Sequence, residues 1–210
     1  MHPLSEKLAA GLKELNVHLD LEQQEKLIKY LNLLTKWNKV HNLTAIREPE
    51  QMVTQHLLDS LSVLRSLPDV QALLDVGSGG GLPGIPLAIA RPELKVTLID
   101  SSHKKTAFLR QAKAELNLIN LDVICDRVET WAPKEKFPAV ISRAFADIDE
   151  FARLATHLID KDGILLAMKG VYPFDEIDNL TKDFSLQEVV VLNVPFMDAS
   201  RHLVILKKSV

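Results

Sequence analysis

The sequence has one cysteine, no long apolar run and no strong excess of either charge. A lone thiol, Cys125, cannot form an internal bridge, so a disulfide scaffold is excluded. The longest uncharged stretch, 76–90, is broken by glycine and proline. It is not the run of about 20 mostly apolar residues that a membrane helix needs. The opening Met1-His2-Pro3-Leu4-Ser5-Glu6-Lys7 lacks the charged-then-apolar layout of a signal peptide. These absences point to the reducing cytoplasm. Basic residues number 25 and acidic residues 28, a net charge of -3. Taken alone, that speaks against a generic basic nucleic-acid coat. What is present is ordinary globular composition: 47% hydrophobic, 25% charged and 5% aromatic over 210 residues. Disorder is excluded, and the length suits one domain, or one domain with an appendage, with a core of its own.

The chain changes texture along its length. Residues 1–48 read as a helical extension: Leu8, Leu12 and Leu15, then Leu27, Leu31 and Leu34, recur at helical spacing, with Asp20 as an N-cap. Polar turn formers at 38–44 are expected to break the second helix, and a further helix is expected over 50–67, ending before Pro68. Residues 49–210 form the main domain. From Ala72, short apolar runs alternate with helical stretches. The expected strands are 72–76, 94–99, 121–125, 139–141 and 164–168, and the expected helices 102–116 and 148–158. That alternation predicts an α/β fold with a mostly parallel sheet covered on both faces. The last two strand candidates, 186–192 and 202–206, are joined by a turn-like segment too short for a crossover helix. They predict a C-terminal antiparallel strand.

The strongest local signal is Leu74-Asp75-Val76-Gly77-Ser78-Gly79-Gly80-Gly81-Leu82-Pro83-Gly84, which follows the first strand and opens a helix. Glycines such as Gly77 and Gly79 let the backbone turn sharply and approach a nucleoside at the carboxyl end of the sheet. Asp100, ending the second strand, suits ribose hydroxyls. Gly79 to Gly84 formally matches the dinucleotide fingerprint, but the frame running from the strand end leaves Leu82 where the third glycine belongs. Asp75, just before the turn, would repel a pyrophosphate and favour an ammonium or sulfonium, directly or through water. S-adenosylmethionine carries both cations and no phosphate, so it is preferred over a dinucleotide.

Methyl transfer from a sulfonium is an in-line displacement that needs positioning and a dry site. A pyrimidine-carbon acceptor needs a nucleophilic cysteine, and Cys125 reads instead as a small buried hydrophobe. An exocyclic amine goes with an Asn/Asp-Pro-Pro-aromatic run after the fourth strand, where this chain has Ser142-Arg143-Ala144-Phe145. What remains is an acceptor already nucleophilic at neutral pH. Guanine N7 is one: its in-plane lone pair needs no deprotonation, and it lies on the base edge that arginine and lysine read.

Several motifs in order carry a resemblance over nearly the whole chain. They are Lys36-Trp37-Asn38-Lys39 with Asn42-Leu43-Thr44, His56-Leu57-Leu58-Asp59-Ser60, the run 75–86, and Arg127-Val128-Glu129. Ser142-Arg143-Ala144-Phe145-Ala146, Lys169-Gly170 and Arg201-His202-Leu203-Val204 follow. The chain resembles the glucose-inhibited division protein B family, bacterial enzymes that methylate a guanine N7 in 16S (small-subunit) ribosomal RNA. The resemblance implies a class I S-adenosylmethionine-dependent methyltransferase fold, Rossmann-like, with an N-terminal helical extension. It implies cofactor contacts at Gly77, Leu82, Val128, Glu129 and Arg143. Asp126 or Glu129 is to accept the adenine amino group. The expected partner is small-subunit ribosomal RNA or the subunit itself, met by a monomer.

Arg143, ending a central strand, is expected to orient the base or the cofactor, because an arginine there needs a ligand or a fixed partner; the ligand is the favoured reading. No general base is required. Lys169 is a candidate RNA contact or a solvated strand end. Arg201 and His202 belong to an acid-free basic segment, as do Lys104, Lys105, Arg110 and Lys113 in 103–113; each segment suits phosphate or is a solvated face. Trp37 reads as core. His41 and His56 have no second ligand at metal spacing, so no metal site is expected. The acidic clusters 147–150 and 175–178 read as helix starts. The net charge thus averages unlike segments, and a shallow salt dependence of RNA binding is expected.

Overall fold

The computed structural model describes residues 3–143, 145, 147–178, 180 and 182–209. Helices α1 (Pro3–Leu15) and α2 (Leu21–His41) form the extension. Leu4, Leu8, Leu12 and Leu15 are the buried stripe of α1. Asp20 and Gln23 make a reciprocal capping box at the start of α2. The side-chain amide of Gln23 also reaches Ile89 O and Ala90 O, at 3.0 and 3.2 Å. The expected break at 38–44 comes later than the turn formers suggest. The helix runs to His41 and ends at Asn42, which takes a left-handed φ of 50°, a conformation asparagine tolerates. Asn38 stays helical, buried, and accepts from Thr44 N at 2.9 Å, so its polarity holds the following loop rather than ending the helix.

The expected helix over 50–67 is an irregular series. It comprises α3 (Pro49–Met52), a π-helical turn (Val53–Leu58), α4 (Asp59–Leu61) and a 3₁₀ turn (Ser62–Arg65). The π turn buries His56, and Asp59 is buried directly after it. Such turns occur often at functional sites.

Beyond it lie β1 (Ala72–Val76), α5 (Gly84–Ala90), β2 (Lys95–Asp100), α6 (His103–Glu115), β3 (Leu121–Cys125), β4 (Phe137–Ser142) and α7 (Ile148–Ala155). The chain finishes with β5 (Ile159–Lys169), α8 (Phe174–Asp178), β6 (Phe184–Val191) and β7 (His202–Lys208). The seven strands form one sheet in the order β3-β2-β1-β4-β5-β7-β6. All pairs are parallel except those of β7, which is antiparallel to β5 and β6. Both expectations for the sheet therefore hold. β5 begins at Ile159, earlier than the apolar run, because its first residues include the exposed Lys161 and Asp162 before the strand becomes central.

The order reverses between β1 and β4, the switch point where open sheets of this kind bind ligands. Alternate residues of β1 face opposite cores: Leu73 joins the leucines of α1 and α2, and Leu74 joins Val140 and Phe151. Trp37 packs edge-on to Phe108 at 5.6 Å, consistent with a core role. The extension shares this first core with the sheet. Tyr30 Oη donates to Gly80 O at 2.5 Å, and burial raises its hydroxyl pKa well above the usual range. No helix among the described residues is long and apolar enough to cross a membrane.

Candidate active site

Two clefts lie at the carboxyl end of the sheet. The first, of about 350 Å³, is bordered by Gly77, Asp100, Asp126, Val128, Glu129 and Phe145, among others. Gly77 of the glycine loop lines it, whereas Gly79, the other candidate glycine, does not. Gly77, Gly79 and Gly81 take φ values of 69°, 55° and 89°, a region that other residues enter at a cost. Gly77 N and Ser78 N donate to Ile99 O at 2.9 and 3.2 Å, which clamps the loop to the end of β2. Gly79 N donates to Asp100 Oδ2, and Ser102 N to Asp100 Oδ1, both at 2.9 Å. Asp100 thus joins the loop to α6 and borders the cleft, with Lys105 Nζ 3.4 Å from the same Oδ2.

Asp75 lies under the loop. It is fully buried, and its Oδ2 accepts from Gly84 N at 2.9 Å, fixing the start of α5. Burial pushes its carboxyl up to about 7. Asp75 does not border the cleft, so of the two expected ways of holding a cation the direct one does not apply, and its bond to Gly84 N supports the loop. Leu82 is likewise packed into the core rather than lining the cleft. At the opposite rim, Asp126 Oδ1 accepts from Arg127 N at 2.7 Å, and Glu129 Oε1 lies 3.1 Å from Arg127 Nη2. Glu129's own backbone N–H and that guanidinium lower its carboxyl pKa. The cleft's lining has four carboxylates (Asp100, Asp126, Glu129, Glu150) and two cations (Lys105, Arg127). A negative lining above a glycine cradle fits a cationic nucleoside, with hydroxyls for Asp100, and disfavours a pyrophosphate.

The second cleft, of about 300 Å³, holds Arg143, Lys169, Arg201 and His202 together with Asp59, His56, Ile46 and Met168. All four candidate acceptor contacts, which come from three separate stretches of chain, meet here. Asp59 organises the two arginines. It is 3% exposed, and its two oxygens take Arg143 Nη1 at 3.1 Å and Arg201 Nε at 3.2 Å. Arg143 therefore has the fixed partner that the favoured reading did without, and Nη1 also donates to Gln55 O at 3.1 Å. Among the described residues its Nε and Nη2 have no partner. Lys169 is not a solvated end: it is largely buried and pairs with Glu176 at 2.8 Å. Glu176 also accepts from Ile148 N at 2.8 Å, and so joins β5 to the start of α7.

His56 is held neutral. Its Nε2 lies 2.9 Å from Thr44 Oγ1 and its Nδ1 3.1 Å from Gln55 O. Burial, and then the charge of Arg143, push it down to about 4. Ser142 Oγ donates to Val76 O at 2.7 Å, tying β4 to β1 between the two clefts. Arg143 borders one cleft and Phe145 the other, so the end of β4 serves both.

Asp59 and Glu176 were missed by sequence reasoning. Asp59 was visible only as a motif letter, yet a carboxylate among Leu57, Leu58 and Leu61 signals a buried partner. Glu176 read as a helix start, which it also is. Cys125 is not the expected buried hydrophobe. It ends the edge strand β3, partly exposed, with Sγ 3.3 Å from His103 Nδ1. Of the basic run on α6, Lys105 and Lys113 are paired with Asp100 and Asp122, while Lys104 and Arg110 are exposed. Asp147 caps α7 by accepting from Glu150 N, as its acidic start suggested. No group of three potential metal ligands occurs among the described residues.

Residues 23–204 match the family described as rRNA small subunit methyltransferase G. A Ribosomal RNA small subunit methyltransferase G of Chromobacterium violaceum is 53% identical over 198 residues, covering 94% of this chain and 95% of that protein. The protein of the same name from Methylobacillus flagellatus is 54% identical over 203 residues, 97% and 98% of the two chains. Among solved structures, a coclaurine N-methyltransferase bound to N-methylheliamine and S-adenosylhomocysteine superposes with a TM-score of 0.60. It is 15% identical, over 98% of this chain and 93% of that one. An S-adenosylmethionine-dependent methyltransferase from Aquifex aeolicus also scores 0.60, at 18% identity over 84% of this chain and 98% of that one. At these identities the structures establish the class I methyltransferase fold.

Proposed function

Since the chain belongs to the rRNA small subunit methyltransferase G family, we propose that it methylates N7 of a guanine in small-subunit ribosomal RNA. It is an S-adenosylmethionine-dependent rRNA methyltransferase, and a dinucleotide-dependent oxidoreductase is set aside. The observation that supports the finer reading is the pair of oppositely charged clefts sharing the end of β4.

In this reading the acidic cleft takes the cofactor. Gly77 and Gly79 supply close backbone, Asp100 receives the ribose hydroxyls, and Val128 with Asp126 or Glu129 meets the adenine. Leu82 acts from beneath, by packing the loop. The cofactor supplies an electrophilic methyl group. The basic cleft takes the guanine. Arg143, held by Asp59, orients the base, and Arg201, Lys169 and His202 complete its surroundings. The N7 lone pair attacks as it stands, so the protein excludes water and aligns the two partners. His56, kept neutral, adds no proton to the site.

We take residues 1–48 as a helical extension that buttresses the glycine loop through Tyr30, and 49–210 as the catalytic domain. In this reading the protein acts as a monomer, in the cytoplasm, on small-subunit ribosomal RNA or on the subunit itself. The test is transfer of labelled methyl from S-adenosylmethionine to unmethylated small subunits, followed by mapping of the modified atom. Label on guanine N7 is expected; label on a cytosine or an exocyclic amine sinks the acceptor assignment.

A further inference from the structure

Aromatic residues are scarce in this chain, and among the described residues only Tyr172, Phe174 and Phe196 are exposed. Two of these three stand together beside the basic cleft. The rings of Tyr172 and Phe174 are 4.2 Å apart, inclined by 38°. Tyr172 also meets His202 edge-on at 5.5 Å, and His202 borders the cleft. Phe174 is 70% exposed and Val171, next to them, 80%. Three neighbouring apolar side chains left in water are unusual for a surface that binds nothing.

The connection that carries them is anchored at both ends. Lys169, before it, pairs with Glu176, after it. Gly170 O lies 3.3 Å from His202 Nδ1. The aromatic pair is thus held against the cleft wall. Toward the cleft lie Lys169, Arg201 and Arg143, each paired with a carboxylate, while Phe174 is followed on its own helix by Asp175, Glu176 and Asp178.

We propose that Tyr172 and Phe174 form a stacking platform for an unpaired nucleobase next to the target guanine. The inference rests on the basic cleft being the guanine site. Stacking on exposed rings beside a cationic groove is how unpaired RNA is held with little regard to base identity. A nucleotide adjoining the guanine would lay its phosphate toward the arginines and its base on the rings. A ribosomal protein is the alternative occupant; continuity with the acceptor cleft, through Tyr172 on His202, favours RNA.

The experiment measures the Kd for unmethylated small ribosomal subunits, with wild-type methyl transfer followed in parallel. Tyr172→Ala and Phe174→Ala should each weaken binding about fivefold or more, the equivalent of ~1 kcal/mol. Affinity for S-adenosylmethionine should not change, nor should the slope of log Kd against log salt. Arg201→Gln should reduce that slope by about one. Phe174→Trp should restore binding and Phe174→Leu should not. Unchanged Kd in the alanine variants overturns the platform. So does full rescue by leucine, which would mark a plain apolar contact such as a protein makes. Circular dichroism of each variant establishes that it is folded, and Phe174→Leu, expected to bind more weakly than wild type, carries the test should Phe174→Ala unfold. A wild type that binds subunits without transferring methyl refutes the functional reading above, while the binding comparison still decides the platform.

Discussion

The two clefts are built from opposite materials. The acidic cleft opens beside a glycine loop clamped to one strand end and is lined by four carboxylates against two cations. The acceptor cleft is made of side chains, with two arginines on one buried carboxylate and a lysine paired with a second acid, Glu176. Backbone geometry is set within a dozen consecutive residues, whereas a charge cluster exists only once distant segments have met. The net charge of -3 conceals this division, since acid collects in one cleft and base in the other.

Removing the organiser of the acceptor cleft should have the largest effect. Asp59→Ala leaves two partly buried guanidiniums without their carboxylate, and we predict a fall in turnover of about 100-fold through lost alignment. Loss of a buried partner is also destabilising, by about 2 kcal/mol here, below the usual ~3–5 because both arginines keep some water. Affinity for S-adenosylmethionine, read by calorimetry, should stay within about twofold. An equal loss of both would show that the two clefts are not independent.

Gly79→Ala tests the other side. A Cβ at Gly79 would meet only Gly77 O, at 3.8 Å, so the fold has room for it. The positive φ costs ~1–2 kcal/mol, and the methyl group stands on the open side of the loop. We predict roughly tenfold weaker cofactor binding, with subunit affinity retained. A variant that binds cofactor as well as wild type would remove Gly79 from the site.

Asp75→Asn separates support of the loop from charge. The folded carboxyl has its pKa raised from 3.8 to about 7. Wild type therefore loses stability as pH rises from about 4 through about 7, because the unfolded chain ionises and the buried group resists. The amide does not ionise, so the Tm of the variant relative to wild type should rise by several degrees from pH 5 to pH 8. His56 acts in the opposite sense. Its pKa is lowered from 6.5 to about 4, so its contribution is complete above 6.5 and declines as pH falls toward 4. It is present in both proteins and cancels. A pH-independent difference in Tm would contradict the buried carboxylate.

The smallest effect belongs to Lys105→Ala. Its contact with Asp100 is partly exposed, and such pairs contribute ~0–1 kcal/mol. Cofactor affinity should change by roughly threefold or less. A larger change would give Lys105 a direct part in the acidic cleft.

Legibility followed the same division. The glycine loop, Asp100 and the alternation of strands and helices were readable because each rests on neighbours in the chain. Asp20 and Asp147 declared themselves as caps for the same reason. Asp59 did not, since its meaning lies in Arg143 and Arg201, 84 and 142 residues away. Lys169 reads in the sequence as an RNA contact or a solvated end, and its pairing with Glu176 is visible only in the fold. Cys125 seemed buried because a strand of apolar letters does not reveal that it is the edge of the sheet.

By itself the sequence determined the class of fold, the nucleoside loop and, through its ordered motifs, the family. Local backbone preferences and apolar periodicity act over a few residues and are written where they act. Only the tertiary structure decided which cations share a carboxylate, which acids line the cofactor cleft and which aromatics remain in water. Electrostatic pairing and exposure depend on distance through space, and a seven-stranded sheet whose order departs from chain order brings remote residues together.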